Sequence, residues 1–429
     1  MVTNITRVIQ FYSLLVAGLL WTCSLAAQED TLNQASSQRF AQTSINGYGA
    51  MNYYYFNWDT DSLKRNSIDN ERFIIELRHQ WLNKIALNAE IEFEHGGTGA
   101  ELEFDRFEEF GEFEFDITKG GEVLLEQLNL EFSLKENFKL NIGRIKIPFG
   151  LMFKKDEPTD YLTAVNSEME SQILPENWTE NGIGVSGVLG KRNNLKYHVS
   201  LVNGLDGSAF NSANWIKRGN QKRFEMVNAE NFALCLRLDN QVNKNLLYGF
   251  SIYGSRSTSD NRPKPDLKLS TPLLIYEAHF SYDKQPFYLS SMVLHGYLGN
   301  SEALTNQNRN LSNNLNVKRT AVGSSAFAVF GEFGITIFNK KNKWIKESSS
   351  LVAYVRYDYY DTMFKTQGLV FNNPRWERQS ATIGVVYKLI PEVQFKSQYT
   401  LRKVGAPPTS NINGGTLEQT IVVGFAFEF

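Results

Sequence analysis

The chain has 429 residues, with 44 Lys and Arg against 46 Asp and Glu and a formal net charge of -2. This balance gives no general attraction to nucleic acid, and the 13% aromatic fraction argues against a disordered chain. Two cysteines cannot form a disulfide framework or a zinc cage. No Pro-rich or Ser-rich linker interrupts the sequence, so we predict one large domain over residues 44–429 and no nucleic-acid partner.

The N-terminus has the parts of a secretory signal peptide. Arg7 supplies a positive charge, the stretch from Val8 to Trp21 is mostly apolar, and small residues follow it. We predict a signal peptide over residues 1–27 and a short periplasmic segment over residues 28–43. Lipidation of Cys23 is the alternative, although the three residues before it lack the small side chain that such processing prefers.

Alternation of apolar and polar residues is the main structural pattern of the rest of the chain. No later stretch approaches the roughly 18 to 20 apolar residues of a membrane-spanning helix. From 85 to 93 every odd position is apolar, whereas most even positions are Asn or Glu. This period of two is typical of strands. We predict sixteen strands, at about 44–58, 70–81, 84–95, 122–134, 138–148, 181–190, 195–204, 228–239, 245–257, 272–283, 286–298, 324–338, 348–361, 377–389, 392–402 and 417–429.

The connections between these strands alternate strictly between short and long. The long ones are predicted at roughly 59–69, 96–121, 149–180, 205–227, 258–271, 299–323, 362–376 and 403–416. An outer-membrane barrel with both termini in the periplasm has this layout, with short periplasmic turns and long external loops. Sixteen strands would enclose a lumen too wide for side chains to fill, so the apolar faces are predicted to contact lipid while polar side chains line water. The sequence thus predicts an all-β, transmembrane antiparallel β-barrel; a soluble barrel with an aromatic core is the alternative.

Several stretches of the middle third carry a family likeness. They are Glu126–Phe132, Asn141–Gly150, Asp156–Tyr161, Ile173–Gly184, Asn203–Asp206, Trp215–Gly219 and Arg237–Asp239. These stretches resemble bacterial porins of the phosphate-selective porin O and P superfamily. The C-terminal Phe429 also resembles the aromatic residue by which the barrel assembly machinery recognises outer-membrane barrels. The resemblance implies a homotrimeric, non-enzymatic channel in the outer membrane of a Gram-negative bacterium, surrounded by outer-membrane lipid.

The third long loop is the candidate constriction, because the corresponding loop of sixteen-stranded porins commonly folds inward. The pore-constriction candidates are Arg144, Lys146, Lys154, Lys155, Asp156 and Glu157. Between residues 146 and 180, Lys146, Lys154 and Lys155 stand against Asp156, Glu157, Asp160, Glu168, Glu170, Glu176 and Glu180. Because Lys and Arg rings select anions, this excess of acids does not support phosphate selectivity. That these charges are merely solvated remains the alternative.

The loop at 96–121 is rich in acidic and Phe residues, with Arg106 the one basic residue between 101 and 116. It could bind Ca²⁺ or Mg²⁺ through oxygen ligands, repel anions at the pore mouth, or be a solvated loop. The sequence contains no HExxH motif, no P-loop and no GxSxG motif. We therefore predict no catalytic residue, no cofactor and no dedicated metal site.

Taken together, these patterns predict an outer-membrane porin through which small hydrophilic solutes or ions diffuse, with phosphate or other anions left open as solutes. The alternative is an outer-membrane barrel plugged by its loops, acting as a surface-binding protein or a lipid hydrolase. An open lumen conducts ions in a planar bilayer, whereas a plugged lumen does not.

Overall fold

The computed structural model describes residues 41–96, 101–105, 114–118, 122–190, 194–221, 227–310, 320–405 and 416–429. The predicted signal peptide and most of the predicted periplasmic segment lie outside the described residues and stay predictions. The unit Gln42–Phe429 is built mainly from β-strands.

Sixteen antiparallel strands close into one barrel, as the alternation predicts. Neighbours in the chain are neighbours in the barrel, and the first strand closes it by pairing with both the second and the last. The barrel strands are β1 Gln42–Trp58, β2 Ser67–Leu82, β3 Ile85–Glu94, β6 Glu122–Lys135, β7 Phe138–Lys146, β8 Thr179–Leu189, β9 Leu195–Asn203, β10 Phe232–Asn243, β11 Leu246–Ser255, β12 Leu273–Lys284, β13 Phe287–Leu298, β14 Ser325–Lys341, β15 Ser348–Lys365, β16 Glu377–Ile390, β17 Val393–Val404 and β18 Leu417–Glu428. Their ends differ from the predicted ends by a few residues only.

The long loops contain some regular structure that the alternation does not predict. Strands β4 Glu101–Asp105 and β5 Glu114–Thr118 pair as a hairpin in the acidic loop. The side chains of this loop lie outside the described residues, so its three interpretations stay open. Helix α1 Glu168–Ile173 lies in the third long loop and α2 Ser301–Arg309 in the sixth. Among the described residues, neither helix has the length and apolar character needed to cross a bilayer.

The outward face of the barrel is apolar. Ile91 of β3 is exposed while Glu90 and Glu92 beside it are buried toward the lumen, and on β17 Phe395 is exposed while Lys396 is buried. Aliphatic and aromatic side chains that point away from a barrel suit the hydrocarbon of a bilayer. The predicted direction of the two faces is therefore confirmed.

The chain closes the barrel through its last residue. The Phe429 N–H donates to the Gly47 carbonyl at 2.8 Å, and the Gly47 N–H donates to the Phe429 carbonyl at 3.0 Å. The Phe429 and Phe427 rings lie over Gly47 and Gly49, where a Cβ atom on Gly47 would come within 2.6 Å of the Phe429 ring. These glycines leave room for aromatic rings across the strand pair.

One side of the lumen is filled by protein. We call the inner wall of β10–β15, with the loops packed against it, the packed side. Here many inward side chains are apolar and buried against the third long loop (L3, residues 147–178), the fourth (L4, residues 204–231) and the sixth (L6, residues 299–324), while charged residues such as Arg237, Glu277 and Arg356 share the same inner faces. The cluster includes Ala233, Cys235, Tyr253, Leu273, Ile275, Met292, Leu294, Ala328 and Phe330 from the wall, and Phe149, Met169, Ile173, Leu205, Phe210, Trp215, Ile216, Leu304 and Val322 from the loops. On this side the predicted polar lining is therefore interrupted by apolar side chains that the loops bury.

Candidate functional site

L3 enters the lumen from β7 and returns to β8. Its two ends are held together by the Ile147 N–H, which donates to the Trp178 carbonyl at 2.7 Å. Inside the loop, α1 is capped by Ser167, whose side chain accepts from the Glu170 N–H. Apolar residues of both arms, such as Phe149 and Met169, are buried in the packed side. The remaining residues of L3 reach polar groups on the other walls of the barrel.

Asp156 is the central anchor of L3. Its carboxylate accepts from Arg72 at 3.1 Å, from Lys146 at 2.8 Å and from the Tyr48 hydroxyl at 3.1 Å. Arg72 also pairs with Glu92 at 2.9 Å. Burial alone would raise the pKa of the Asp156 carboxyl, but the charges of Arg72 and Lys146 outweigh it and hold this pKa well below its usual range. Asp156 is therefore ionised in the folded protein over the physiological pH range.

The two lysines of the predicted constriction bind separate carboxylates. Lys154 pairs with Asp239 of β10, which is fully buried and also accepts from Arg237 at 2.9 Å. Lys155 pairs with Asp283 of β12 at 2.7 Å, near the end of that strand. Burial lowers the pKa of Lys154, against the opposing charge of Asp239. Both cations are thus neutralised by the wall.

The opposite wall holds L3 through its backbone. The Lys396 ammonium of β17 donates to the carbonyls of Pro158, of Tyr161 at 2.6 Å and of Thr163 at 3.0 Å. Arg356 of β15 donates to the Thr163 hydroxyl at 2.7 Å. Polar contacts therefore attach L3 to strands β1, β2, β3, β7, β10, β12, β15, β16, β17 and β18.

Acidic side chains face one another at the end of β18. Burial, a hydrogen bond with Glu428 and the charge of Asp160 together raise the pKa of Glu157 to about 8. Burial also raises the pKa of Asp160 to about 6, against the opposing charge of Lys155. The Thr159 hydroxyl donates to Glu428 at 2.5 Å. The negative charge of this cluster, Glu157 with Asp160 and Glu428, therefore changes near neutral pH.

Arg144 lies apart from the other predicted residues. It is buried on β7 and donates to the backbone carbonyls of Glu126 at 3.1 Å and of Gln221 at 3.3 Å. Of the six candidates the structure brings Lys146 and Asp156 into direct contact, whereas Lys154, Lys155 and Glu157 occupy other points of L3. The four predicted cations do not converge on one place.

Several anchoring residues escape sequence reasoning. Arg72, Asp239 and Lys396 are placed on inward faces by alternation, but nothing in the sequence says that L3 meets them. Arg72 and Asp156 are separated by 84 residues, and Lys396 and Tyr161 by 235. Within the described part of the chain, no group of three or more His, Cys, Asp or Glu residues could hold a metal ion.

A cavity of about 440 Å³ lies between L3 and the short turns. Its walls are the inner faces of β2, β3 and β6–β9, which we call the polar side, and Phe153 and Pro148 of L3 contribute to its lining. Its other lining side chains are mostly charged, amide or hydroxyl groups, namely Asn46, Glu76, Arg78, Asn88, Glu90, Gln127, Asn129, Glu131, Lys139, Asn141, Lys146, Ser186, His198 and Ser200. The polar side thus encloses a space of about 440 Å³ that is lined mostly by polar groups.

Known proteins resemble this one in fold more than in sequence. Salmonella typhi OmpF in complex with daunomycin superposes with a TM-score of 0.53 at 10% identity, covering 90% of this chain and 97% of that one. An anion-selective porin from Comamonas acidovorans gives 0.52 at 10% identity, covering 91% and 100%. The outer-membrane channel DcaP of Acinetobacter baumannii gives 0.50 at 10% identity, covering 93% and 100%. The fold is that of the outer-membrane porins.

Sequence comparison adds no narrower family. No family model matches the chain. A protein of Aquifex aeolicus described as uncharacterized is 24% identical over 362 residues, covering 83% of this chain and 74% of its own length. The narrower resemblance to phosphate-selective porins therefore stays a prediction.

Proposed function

We propose that this protein is an outer-membrane porin, a passive diffusion channel for small hydrophilic solutes or ions. The observation that carries the proposal is a closed barrel with an apolar outward face and a cavity of about 440 Å³ lined by charged and amide groups inside it. The apolar outward face suits contact with lipid, and the polar cavity suits a polar solute. The setting is the outer membrane of a Gram-negative bacterium, reached through the predicted signal peptide and the barrel assembly machinery.

L3 is the constriction in this proposal. Its contacts with opposite walls hold it across the lumen, and Lys154, Lys155, Asp156 and Glu157 set its charge. Both lysines have carboxylate partners, whereas the cluster of Glu157, Asp160 and Glu428 carries an excess of acid. We therefore expect a weak preference for cations, since rings of acidic side chains favour them. Phosphate selectivity has no support in these contacts.

The packed side favours a second candidate, a plugged barrel that binds a ligand at the cell surface. L4 is bonded to both other loops and to the wall. The Asn214 amide donates to the Gln172 side-chain oxygen of L3 at 3.3 Å, the Asn308 amide of L6 donates to the Gly207 carbonyl at 3.0 Å, and the Thr362 hydroxyl of β15 donates to the Ser212 carbonyl at 2.5 Å. Loops fixed in this way reduce the open cross-section of the lumen. A plug that extended to the polar side would abolish conduction.

Conductance decides between the two candidates. Refolded protein without residues 1–27 is added to a planar bilayer, and the reversal potential is measured in a KCl gradient with and without phosphate. Discrete steps with weak cation preference and no phosphate block support the proposed porin. No steps from protein whose gel migration is heat-modifiable, as for a folded barrel, would favour the plugged barrel. Strong anion preference with phosphate block would contradict the proposed selectivity.

The resemblance to porins also leads us to propose a homotrimer. Because the apolar outward face surrounds the barrel, no single strand is assigned to the interface. Native mass measurement in detergent tests this proposal: a species three times the mass of the single chain is expected, and a strictly monomeric species would contradict it.

A further inference from the structure

The cationic side chains that line the cavity on the polar side, Arg78, Lys139 and Lys146, are each paired with a carboxylate. Glu131 accepts from Arg78 at 2.8 Å and from Lys139 at 3.1 Å. Lys146 is paired with Asp156 at 2.8 Å. An anionic solute in this cavity would therefore have to compete with protein carboxylates for these cations.

Neutral hydrogen-bonding groups remain available beside these pairs. Within the described residues, the side chains of Asn141, Ser186 and Ser200 line the cavity and make no side-chain hydrogen bond, although the Asn141 Oδ1 atom itself is shielded from the cavity. These groups therefore have unused capacity to bind hydroxyl groups of a solute.

Strand register places these groups in one patch. Asn141 of β7 lies opposite Gly184 of β8, which lies opposite Ser200 of β9. The space above Gly184 is filled by neighbouring side chains, since a Cβ atom there would come within 3.0 Å of Ile145 and 3.4 Å of the Ser200 hydroxyl. Ser186 lies on the same face of β8, two residues after Gly184 and nearer the short turn.

Phe153 is the aromatic residue of this cavity, and the Arg237 guanidinium lies over its ring, 5.1 Å from the centroid. Phe153 of L3 lines the cavity and meets His198 edge to face, with ring centroids 5.0 Å apart. An aromatic face beside amide and hydroxyl groups suits a solute that has an aliphatic ring face and a rim of hydroxyl groups. A cavity of about 440 Å³ falls in the usual range of small-molecule sites, about 300–1,000 Å³.

We infer that this cavity is a binding site for a neutral, polyhydroxylated solute, such as a mono- or disaccharide, on its way through the barrel. Hydroxyl groups bind Asn141, Ser186 and Ser200, and the apolar face of a sugar ring packs on Phe153. This inference rests on the proposed channel function and adds a substrate class to it. Inorganic phosphate is disfavoured, because Glu76, Glu90 and Glu131 line the same cavity.

The test is block of the ion current by maltose in a planar bilayer. Wild-type protein is expected to show saturable block, whereas phosphate at equal concentration gives none. Ser200→Ala and Asn141→Leu each remove one hydrogen-bonding group, which at about 1 kcal/mol corresponds to a half-block concentration about fivefold higher. Ser397→Ala, on the outward face of β17, is the matched control and should leave the half-block concentration unchanged.

The outcomes separate this inference from the proposed function. If the protein conducts but maltose does not block the current, the saccharide site is overturned, whether or not phosphate blocks. The channel proposal stands in either case. Equal block in wild type and both cavity variants also overturns it. If the folded protein does not conduct, the channel proposal fails, and calorimetric titration of detergent-solubilised protein with maltose then decides the site: binding weakened by Asn141→Leu supports it, and absence of binding overturns it.

Discussion

The two sides of the lumen are built from strands with the same alternation but end in opposite environments. On the packed side, inward Ile275 and Leu294 are fully buried under loops. On the polar side, inward Glu76 and Asn141 line a cavity. The difference comes from the loops, because large apolar residues of L4 and L6 are buried against the packed side. Barrel architecture therefore sets the outer surface, while loop composition decides how much of the lumen remains for solutes.

Breaking the packed side should have the largest effect. Trp215 of L4 is fully buried, its ring fills the space over Gly296, and its Nε1 donates to the Gly323 carbonyl at 3.0 Å. Trp215→Ala should lower the free energy of unfolding by about 3–5 kcal/mol, because it leaves a cavity and loses that bond. Urea unfolding in detergent, followed by circular dichroism, measures this change. Trp344→Ala is the control, since that side chain is 82% exposed, and a similar loss in both variants would contradict the prediction.

Releasing L3 from the polar side should have the next largest effect. Asp156→Asn leaves Arg72 and Lys146 without their shared carboxylate, and breaking a buried ion pair costs about 3–5 kcal/mol. We expect higher single-channel conductance and a reversal potential shifted toward anion preference. Asp59→Asn, in the exposed first long loop, should change neither. Unchanged conductance and selectivity in Asp156→Asn would show that this anchor does not hold L3 at the constriction.

The depressed pKa of Asp156 predicts the direction in which folding stability changes with pH. A carboxyl whose folded-state pKa lies below its unfolded value, about 3.9, stabilises the fold above that value and loses this effect as the pH falls through the folded-state pKa. The contribution of Asp156 to the free energy of unfolding of the wild-type protein should therefore be constant between pH 5 and pH 8. The Asp156→Asn substitution, in contrast, should act at every pH in this range.

The cluster at the end of β18 predicts a pH-dependent selectivity of moderate size. Glu157, with a pKa raised to about 8, is mainly neutral at pH 6 and ionised at pH 9. Cation preference should rise across this interval. The raised pKa also favours the folded state below the unfolded value near 4.5, and this contribution is lost as the pH rises through 8. Reversal potentials from pH 6 to pH 9 measure the effect. Glu157→Gln should flatten the curve, and an equally steep curve in that variant would assign the change to another group.

The barrel could be predicted from sequence because its signal is local. Each strand can be recognised within about ten residues from the alternation of apolar and polar side chains, and a shift of its register by one residue would reverse its two faces. The outward positions of Ile91 and Phe395 follow from this pattern alone. The packed side is also visible in the sequence as apolar residues on otherwise polar strand faces. Ile275 lies on the same face as Glu277, and Cys235 lies on the same face as Arg237.

The site could be predicted only as a segment. Charge counts along L3 identify Lys154 and Asp156 as candidates, but selectivity depends on partners far away in the chain. Lys154 meets Asp239 across 85 residues, and Lys155 meets Asp283 across 128. Such pairs depend on how the loop folds inside the barrel, which no local period encodes. The burial of Trp215 could not be predicted either, because the sequence places this residue only within a long connection.

The smallest expected effect comes from an exposed ion pair near the short-turn end of β12. Lys155 and Asp283 meet at 2.7 Å, but their side chains are 18% and 44% exposed, whereas Asp239, the partner of Lys154, is fully buried. Exposed ion pairs contribute about 0–1 kcal/mol, since water and salt screen them. Lys155→Met should therefore change the free energy of unfolding by less than about 1 kcal/mol, while Lys154→Met removes one of the partners of a buried carboxylate and should cost more. Urea unfolding of both variants at low and high salt gives the comparison. A larger loss for Lys155→Met would mean that the short-turn end of the lumen, and not its buried wall, holds L3 in place.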